Sequence, residues 1–265
     1  MSPTTPFRSS AAQTTRALLS LRELILDGTL PAGARLSELA VVQRLGMSRT
    51  PVRAALQRLC EEGLASALPG GGYAVQAFSE RDVHDAIELR GTLEGLAARM
   101  AAERGASAAS LAQARQLLDT LDGIVGSPLH AIDFTAYVQA NAQFHALLVA
   151  MAGSDVLGRE LTRVLQLPFA SPNSLVMAQT TSAEAQLILT LDQHREVIAA
   201  IEYRQGARAE ALMREHARLA HRNLRHVLQT PAAITQVRGG ALIGRAHPSN
   251  AGSSQHPLLP GVPHA

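Results

Sequence analysis

Apolar positions at Leu18, Leu21 and Ile25 recur at helical spacing, and the stretch DGTLPAG at 27–33 ends that run. The pattern predicts a second, short helix over 38–45, preceded by Ser37, with Leu36, Ala40 and Leu45 available for a small core. Gly46 breaks it, and Ser48 can cap a third helix whose Val52, Leu56 and Leu59 share one face. Glycines at 70, 71 and 72 followed by YAVQAF read as a tight turn and a short strand, paired with LASAL at 64–68. Three short helices and a hairpin make a winged helix-turn-helix over residues 11–78.

Beyond Ser79 the period is almost wholly helical. Helices are predicted over 80–104, 108–125, 131–152, 155–166, 183–203 and 207–229. The segment LPFASPNS at 167–174 is a break, because two prolines deny the hydrogen bonds a helix interior needs. The fold class is therefore mostly α: a winged helix-turn-helix followed by an all-α bundle over 79–229, large enough to enclose a pocket between helices. Residues 1–10 and 230–265 lack an apolar period and are rich in Pro, Gly, Ser, Thr or His, which predicts flexible tails.

Composition narrows the chemistry. All 24 Lys+Arg residues are arginine. Without lysine the chain has no Schiff-base former, no Walker lysine and no lysine nucleophile. The aromatic content of 3% and the absence of Trp argue against stacking platforms for single strands. A formal charge of +2 is small, so any nucleic-acid surface must be found locally. The single cysteine, Cys60, forms no intrachain disulfide and reads as a small core residue. With no charged and apolar leader and no run of 18 apolar residues, the chain is expected to be cytoplasmic, with no membrane partner.

The stretch MSRTPVRAALQRL at 47–59 holds the first functional signal. With Val52, Leu56 and Leu59 turned inward, Arg49 and Arg53 share another face at i and i+4 near the helix start. Ser48 and Thr50 place hydroxyls beside them, and Pro51 sits in the first turn, where its missing N–H is harmless. A guanidinium matches guanine O6 and N7 in a major groove that admits a helix, and free N–H groups at a helix start favour phosphate. Double-stranded DNA is the partner this edge fits. Two arginines on an isolated helix could equally be a solvated face; the preceding helix, the Gly46 turn and the glycine-tipped hairpin favour DNA.

The residues RLSELAVVQRLGMSRTPVRAALQRLCEEGL at 35–64, followed by PGGGYAV, resemble the GntR family of bacterial transcription regulators. The resemblance covers 12–77 and implies that Arg49, Thr50 and Arg53 contact operator DNA, with Gly71 and Gly72 at the minor groove. Ala54 stands where the family usually has glutamate, which removes a local partner for arginine.

Three histidines separate from the other seven: His145 in NAQFHALL, His194 in DQHREVIAAI and His216 in ALMREHARLAH. Asn141 lies four residues before His145 and can share its face, whereas His194 and His216 can join them only through tertiary packing. Spacing alone does not make a metal site here. The segments ELRGTLEGLAARMAA, FHALLVAMAGSDVL and EVIAAIEYRQGARAEALMREH resemble the FCD ligand-binding domain of the FadR subgroup. Its metal-containing branch uses an aspartate and three histidines, which match Asn141, His145, His194 and His216. Asn141 supplies a carbonyl but no charge, and imidazole donors suit zinc or nickel. Arg90 has two readings: an i,i+4 pair with Glu94 on the helix, or, as the resemblance implies, an inward clamp for an effector carboxylate.

These readings converge on a ligand-responsive transcription regulator rather than an enzyme. A homodimer would place two winged domains on a palindromic operator, and a small organic acid would release it. The alternatives are a metal-dependent hydrolase with an accessory winged domain, for which no H-E-x-x-H, G-x-S-x-G or P-loop is present, and a DNA-binding protein without effector.

Overall fold

The computed structural model describes residues 10–127, 132–167, 169–173, 183–229, 234 and 237–244. Helix α1 spans Ser10–Leu26 and buries Leu18, Leu21 and Ile25, the stripe set by the sequence period. After strand β1 (Arg35–Leu36), Ser37 caps α2 (Glu38–Leu45) by accepting the Ala40 N–H at 3.1 Å. Gly46, at φ 61°, ends α2 in the left-handed region and turns the chain into α3 (Arg49–Glu61). Helix α3 buries Val52, Leu56 and Leu59 as expected. In α2 the inward residue is Val41; Ala40 is exposed and Leu45 is half-buried, because the helix starts at Glu38 and directs the row 41–45 at α3.

Strands β2 (Ala65–Ala67) and β3 (Tyr73–Val75) form the antiparallel hairpin in the register Ala65↔Val75, Ser66↔Ala74 and Ala67↔Tyr73. Its turn is closed by the Leu68 carbonyl accepting from Gly71 N–H at 2.9 Å. Gly71 and Gly72 sit at φ 87° and 82°, a region that bulkier residues rarely adopt. Strand β1, not anticipated from the sequence because it is only two residues long, pairs on the other side of β3 and completes a three-stranded sheet in the order β1-β3-β2.

Helix α4 (Glu80–Arg104) opens with a capping box between Ser79 and Asp82. It is followed by α5 (Ala108–Val125), α6 (Phe134–Met151), α7 (Asp155–Val164), α8 (Ala183–Glu202) and α9 (Gly206–Gln229). The bundle core is built from Leu121 of α5, Tyr137, Phe144 and Leu148 of α6, Ile201 of α8 and Met213 of α9, all essentially fully buried. Fully burying a leucine or phenylalanine contributes about 1.5–3 kcal/mol, so this layer holds the bundle together.

Two helices cross from one core into the other. Val83 and Ile87 of α4 and Leu224 of α9 are buried in the cluster that also contains Leu21, Leu56 and Leu59 of the winged region. Helices α4 and α9 meet at unusually short range. A Cβ added to Gly91 would lie 2.6 Å from the Ala217 Cβ, and one added to Gly95 would lie 2.8 Å from Arg214 Cγ. Only glycine fits at these two positions of α4.

The expectation of a tail from Thr230 fails for residues 237–244. Leu242 is fully buried in the winged core, with Val237 and Ile243 beside it. The Gly239 N–H donates to Leu26 O at 2.9 Å, Phe78 N–H donates to Leu242 O at 2.9 Å, and Arg238 pairs with Glu23. The sequence VRGGALIG reads as tail-like because of its glycines. Those glycines instead allow close docking: a Cβ on Gly239 would lie 3.2 Å from Leu26 Cδ2. Ile234 is half-buried against the same core, whereas residues 1–9, expected as a tail, and the other positions of 230–265 lie outside the described residues, as does Ala131 at the expected start of α6.

Candidate metal centre and nucleic-acid edge

Helices α6, α8 and α9 each direct one histidine to the same interior point. His145, His194 and His216 are buried, and one ring nitrogen of each lies within 4.8 Å of the others. The His194 and His216 Nε2 atoms are 3.3 Å apart, and His216 Nδ1 lies 3.2 Å from Gln193 Oε1. A carbonyl behind Nδ1 places the proton there and leaves the Nε2 lone pair facing His194. Phe144 stacks on His194 at 4.0 Å between centroids and fixes that ring. Burial, then the neighbouring His145, drives the pKa of His194 far down; burial first, then His194 and His145, does the same at His216. Both rings are held neutral, the state a metal ligand requires.

Asn141, one helical turn before His145, is also buried, and its orientation is fixed by its neighbours. Asn173 Nδ2 donates to Val138 O at 3.0 Å, so Asn173 Oδ1 must accept from Asn141 Nδ2, at 2.8 Å. That leaves Asn141 Oδ1 without a partner, alongside His145 Nε2. Buried lone pairs without donors are costly, and a divalent cation is the partner that a carbonyl oxygen and three imidazoles have in common. The donor set fits such an ion.

Arg90 turns inward and also lies beside Glu94, so its placement has a feature of each sequence reading. It is buried and is also near Glu94, its Nε lying 3.7 Å from Glu94 Oε2. Its Nε and Nη1 have no hydrogen-bond partner, and burial pulls its pKa down while Glu94 opposes this. Glu94, for which the sequence reading had no role at the site, is fully buried and places Oε1 2.8 Å from His145 Nδ1. Burial disfavours its charge, but His145 and Arg90 outweigh this and hold its pKa below the usual carboxylate value. A cleft of about 960 Å³ between α6 and α7 reaches Glu94 and His145 past Ala142, Ala146 and Val149.

At the other end of the molecule, Ser48, Arg49, Thr50 and Arg53 are exposed on the leading edge of α3. Ser48 occupies the N-cap position without making the expected side-chain cap bond. Arg53 is not free: its Nε and Nη2 donate to the two Glu38 oxygens at 2.7 and 2.9 Å. The Glu38 hydrogen bond, followed by its charge, raises the Arg53 pKa. Glu38 of α2 thus provides the partner that Ala54 does not. Cys60 is half-buried against the winged core, and burial raises its thiol pKa.

Comparison with known proteins agrees with this two-part architecture. The FCD domain family matches residues 85–219, just over half of the chain, and the family of bacterial regulatory proteins termed gntR matches 13–75. The chain belongs to the GntR regulators that carry an FCD domain. An uncharacterized HTH-type transcriptional regulator in the TAR-I ttuE-ttuC' intergenic region of Agrobacterium vitis is 35% identical over 144 residues, covering 54% of this chain and 83% of that one. The HTH-type transcriptional repressor GlaR of Escherichia coli is 29% identical over 199 residues, covering 74% and 88%. The solved structure of E. coli McbR/YncC shares the fold with a TM-score of 0.55 at 21% identity, covering 82% of this chain and 97% of that one. These relatives are regulators, not enzymes. Among the described residues no helix is long and apolar enough to cross a membrane.

Asn173 and Glu94 were the site residues missed by sequence reading. Asn173 lies in the proline-flanked break, where no period marks a facing residue. Glu94 carried a signal, its i+4 spacing from Arg90, which pointed at a pair but not at His145.

Proposed function

We propose that this GntR regulator is a repressor that binds a palindromic operator as a homodimer and is released by a small organic acid at a metal-containing pocket. The observation that carries the proposal is the buried set Asn141, His145, His194 and His216, with partnerless donor atoms, on a bundle whose α4 and α9 also enter the winged core. Arg49, Thr50 and Arg53 read the major groove, Ser48 contacts phosphate, and Gly71 and Gly72 let the wing approach the minor groove. Zinc or nickel, when bound, supplies positive charge and open positions for a carboxylate. Arg90, buried with two unused donors, clamps that carboxylate from α4. The ligand biases the pose of α4 against α9, and hence of the winged domains; a coupling of about 1–3 kcal/mol changes occupancy about 5- to 150-fold. Repression is favoured over activation because GlaR is itself named a repressor. Placement in the FadR subgroup rests on the motif resemblance, and the cytoplasm is the compartment where such a protein meets DNA.

Elemental analysis of the wild type beside H145A, H194A and H216A tests the centre. About one divalent ion per chain is expected in the wild type and a loss in each variant; equal content in all four rejects the site. Thermal-shift screening of carboxylates with and without chelator, followed by gel shift on the protein's own upstream region, tests release. A best stabiliser that is uncharged and indifferent to chelator would reject the effector reading.

A further inference from the structure

The three histidines look alike in sequence but are backed differently. His216 Nδ1 faces the neutral amide oxygen of Gln193 at 3.2 Å, and His194 Nδ1 has no hydrogen-bond partner. His145 Nδ1 alone faces a carboxylate, Glu94 Oε1 at 2.8 Å. That carboxylate is fully buried on α4, a helix that contributes none of the four donors. The candidate donor atoms are a carbonyl oxygen and three imidazole nitrogens, so none of them brings a negative charge.

We infer that Glu94 is the positioning residue of this centre: it fixes the His145 proton on Nδ1, aims the Nε2 lone pair at the ion, and provides through the ring the negative charge that Asn141 cannot. A carboxylate accepting the Nδ1–H raises the basicity of the opposite nitrogen and blocks the other tautomer. His145 is therefore the strongest donor of the set. Arg90 works against this. Its Nε lies 3.7 Å from Glu94 Oε2, and that oxygen has no hydrogen-bond partner, so Glu94 divides its charge between the guanidinium and the ring. An anion that engages Arg90 leaves more of the Glu94 charge to His145, which links anion binding at Arg90 to the grip on the metal.

The inference rests on the metal centre proposed above, and two readouts separate their failures. The first is zinc affinity by competition with a chromogenic chelator. E94Q retains an oxygen that can accept the Nδ1–H but removes the charge, and a fall in zinc affinity of about 10- to 100-fold is expected. Because E94Q strands a buried guanidinium, R90Q/E94Q is measured beside it and is expected to keep the loss, whereas R90Q alone is expected to tighten zinc binding. The second readout is the His145 tautomer in metal-free protein by ¹⁵N NMR. The proton is expected on Nδ1 in the wild type and E94Q, and mixed between the nitrogens in E94L. Wild-type zinc affinity in both E94Q and R90Q/E94Q, or an unchanged tautomer in E94L, overturns the role of Glu94. If the wild type takes up no zinc, the metal reading fails, and the tautomer still decides whether Glu94 orients His145.

Discussion

Replacing Gly91 with alanine pits two effects of similar size against each other. Alanine in place of glycine inside a helix gains about 1 kcal/mol from propensity alone. Against that, the new Cβ would stand 2.6 Å from the Ala217 Cβ. Methyl carbons settle at about 3.5–4.0 Å, so α4 and α9 must part by roughly 1 Å. Overpacking of this kind costs about 1–3 kcal/mol. The helices have little freedom to part, because Gly95 is packed as tightly one turn on, its virtual Cβ 2.8 Å from Arg214 Cγ and 3.1 Å from Glu210 O. The expected outcome for G91A is a net loss of up to about 2 kcal/mol. A217G alone loses about 1 kcal/mol of propensity. G91A/A217G moves the methyl group from one helix to the other and should be more stable than the two single losses summed, by about 1–2 kcal/mol of coupling. Urea denaturation of the four proteins measures it. Metal content should follow the same order, since Arg90 and Glu94 flank Gly91 while His216 precedes Ala217. Stabilisation by G91A, or a coupling within about 0.3 kcal/mol of zero, would refute the close-packing argument.

Other expected outcomes follow from the geometry. R49A and R53A should each weaken specific DNA binding roughly ten-fold or more with helical content intact, by gel shift and circular dichroism. E38Q, by releasing Arg53 and removing a negative charge beside the helix, should raise non-specific binding at low salt and lower the ratio of specific to non-specific affinity; an unchanged ratio would contradict an orienting role for Glu38. L242A should destabilise the winged region by about 2–5 kcal/mol, seen as faster amide exchange in α1 and α3 than in α6, although Leu242 lies far along the chain. His221 stacks on His84 with ring centroids 3.8 Å apart, and burial first, then the His84 charge, lowers its pKa below the ordinary 6.5. A depressed histidine contributes stability that is intact above its unfolded pKa and lost as pH falls from there through the folded value, so the α4–α9 seam should weaken below about pH 6.5. Glu88 and Arg218 also act on His221, in opposite directions, and H84Q should move its NMR titration midpoint upward.

The helices were legible because their boundaries are local facts. Ser79, Ser107 and Ser154 mark starts by their capping chemistry, and the periods of α4 and α5 run unbroken to the ends the structure shows. The histidines were legible as a group only through family resemblance, since residues 145, 194 and 216 meet by packing and share no spacing. Gly91 and Gly95 read as weak points in a helix. Their value lies in the approach of α9, about 120 residues later in the chain, which no window on α4 contains. Arg90 and Glu94 could be paired by spacing, but their burial depends on which face α9 covers. Glycine misled in the opposite sense at 239 and 240, where a composition typical of loose chain serves a tight dock.

That dock has a consequence for synthesis. The residues of the winged region have all been made once Phe78 is added, yet their core still lacks Val83 and Ile87, then Phe169 and Leu224, and last of all Leu242 and Ile243. At about 5–20 residues per second, the gap between residues 78 and 242 lasts roughly 8–30 s. Throughout that interval the DNA-reading head is on the growing chain with its hydrophobic interior incomplete, and the final piece arrives only after all four candidate metal-binding residues have been made. A ribosome that stops early therefore releases a head with an unfilled core rather than a finished DNA-binding fragment detached from its sensor.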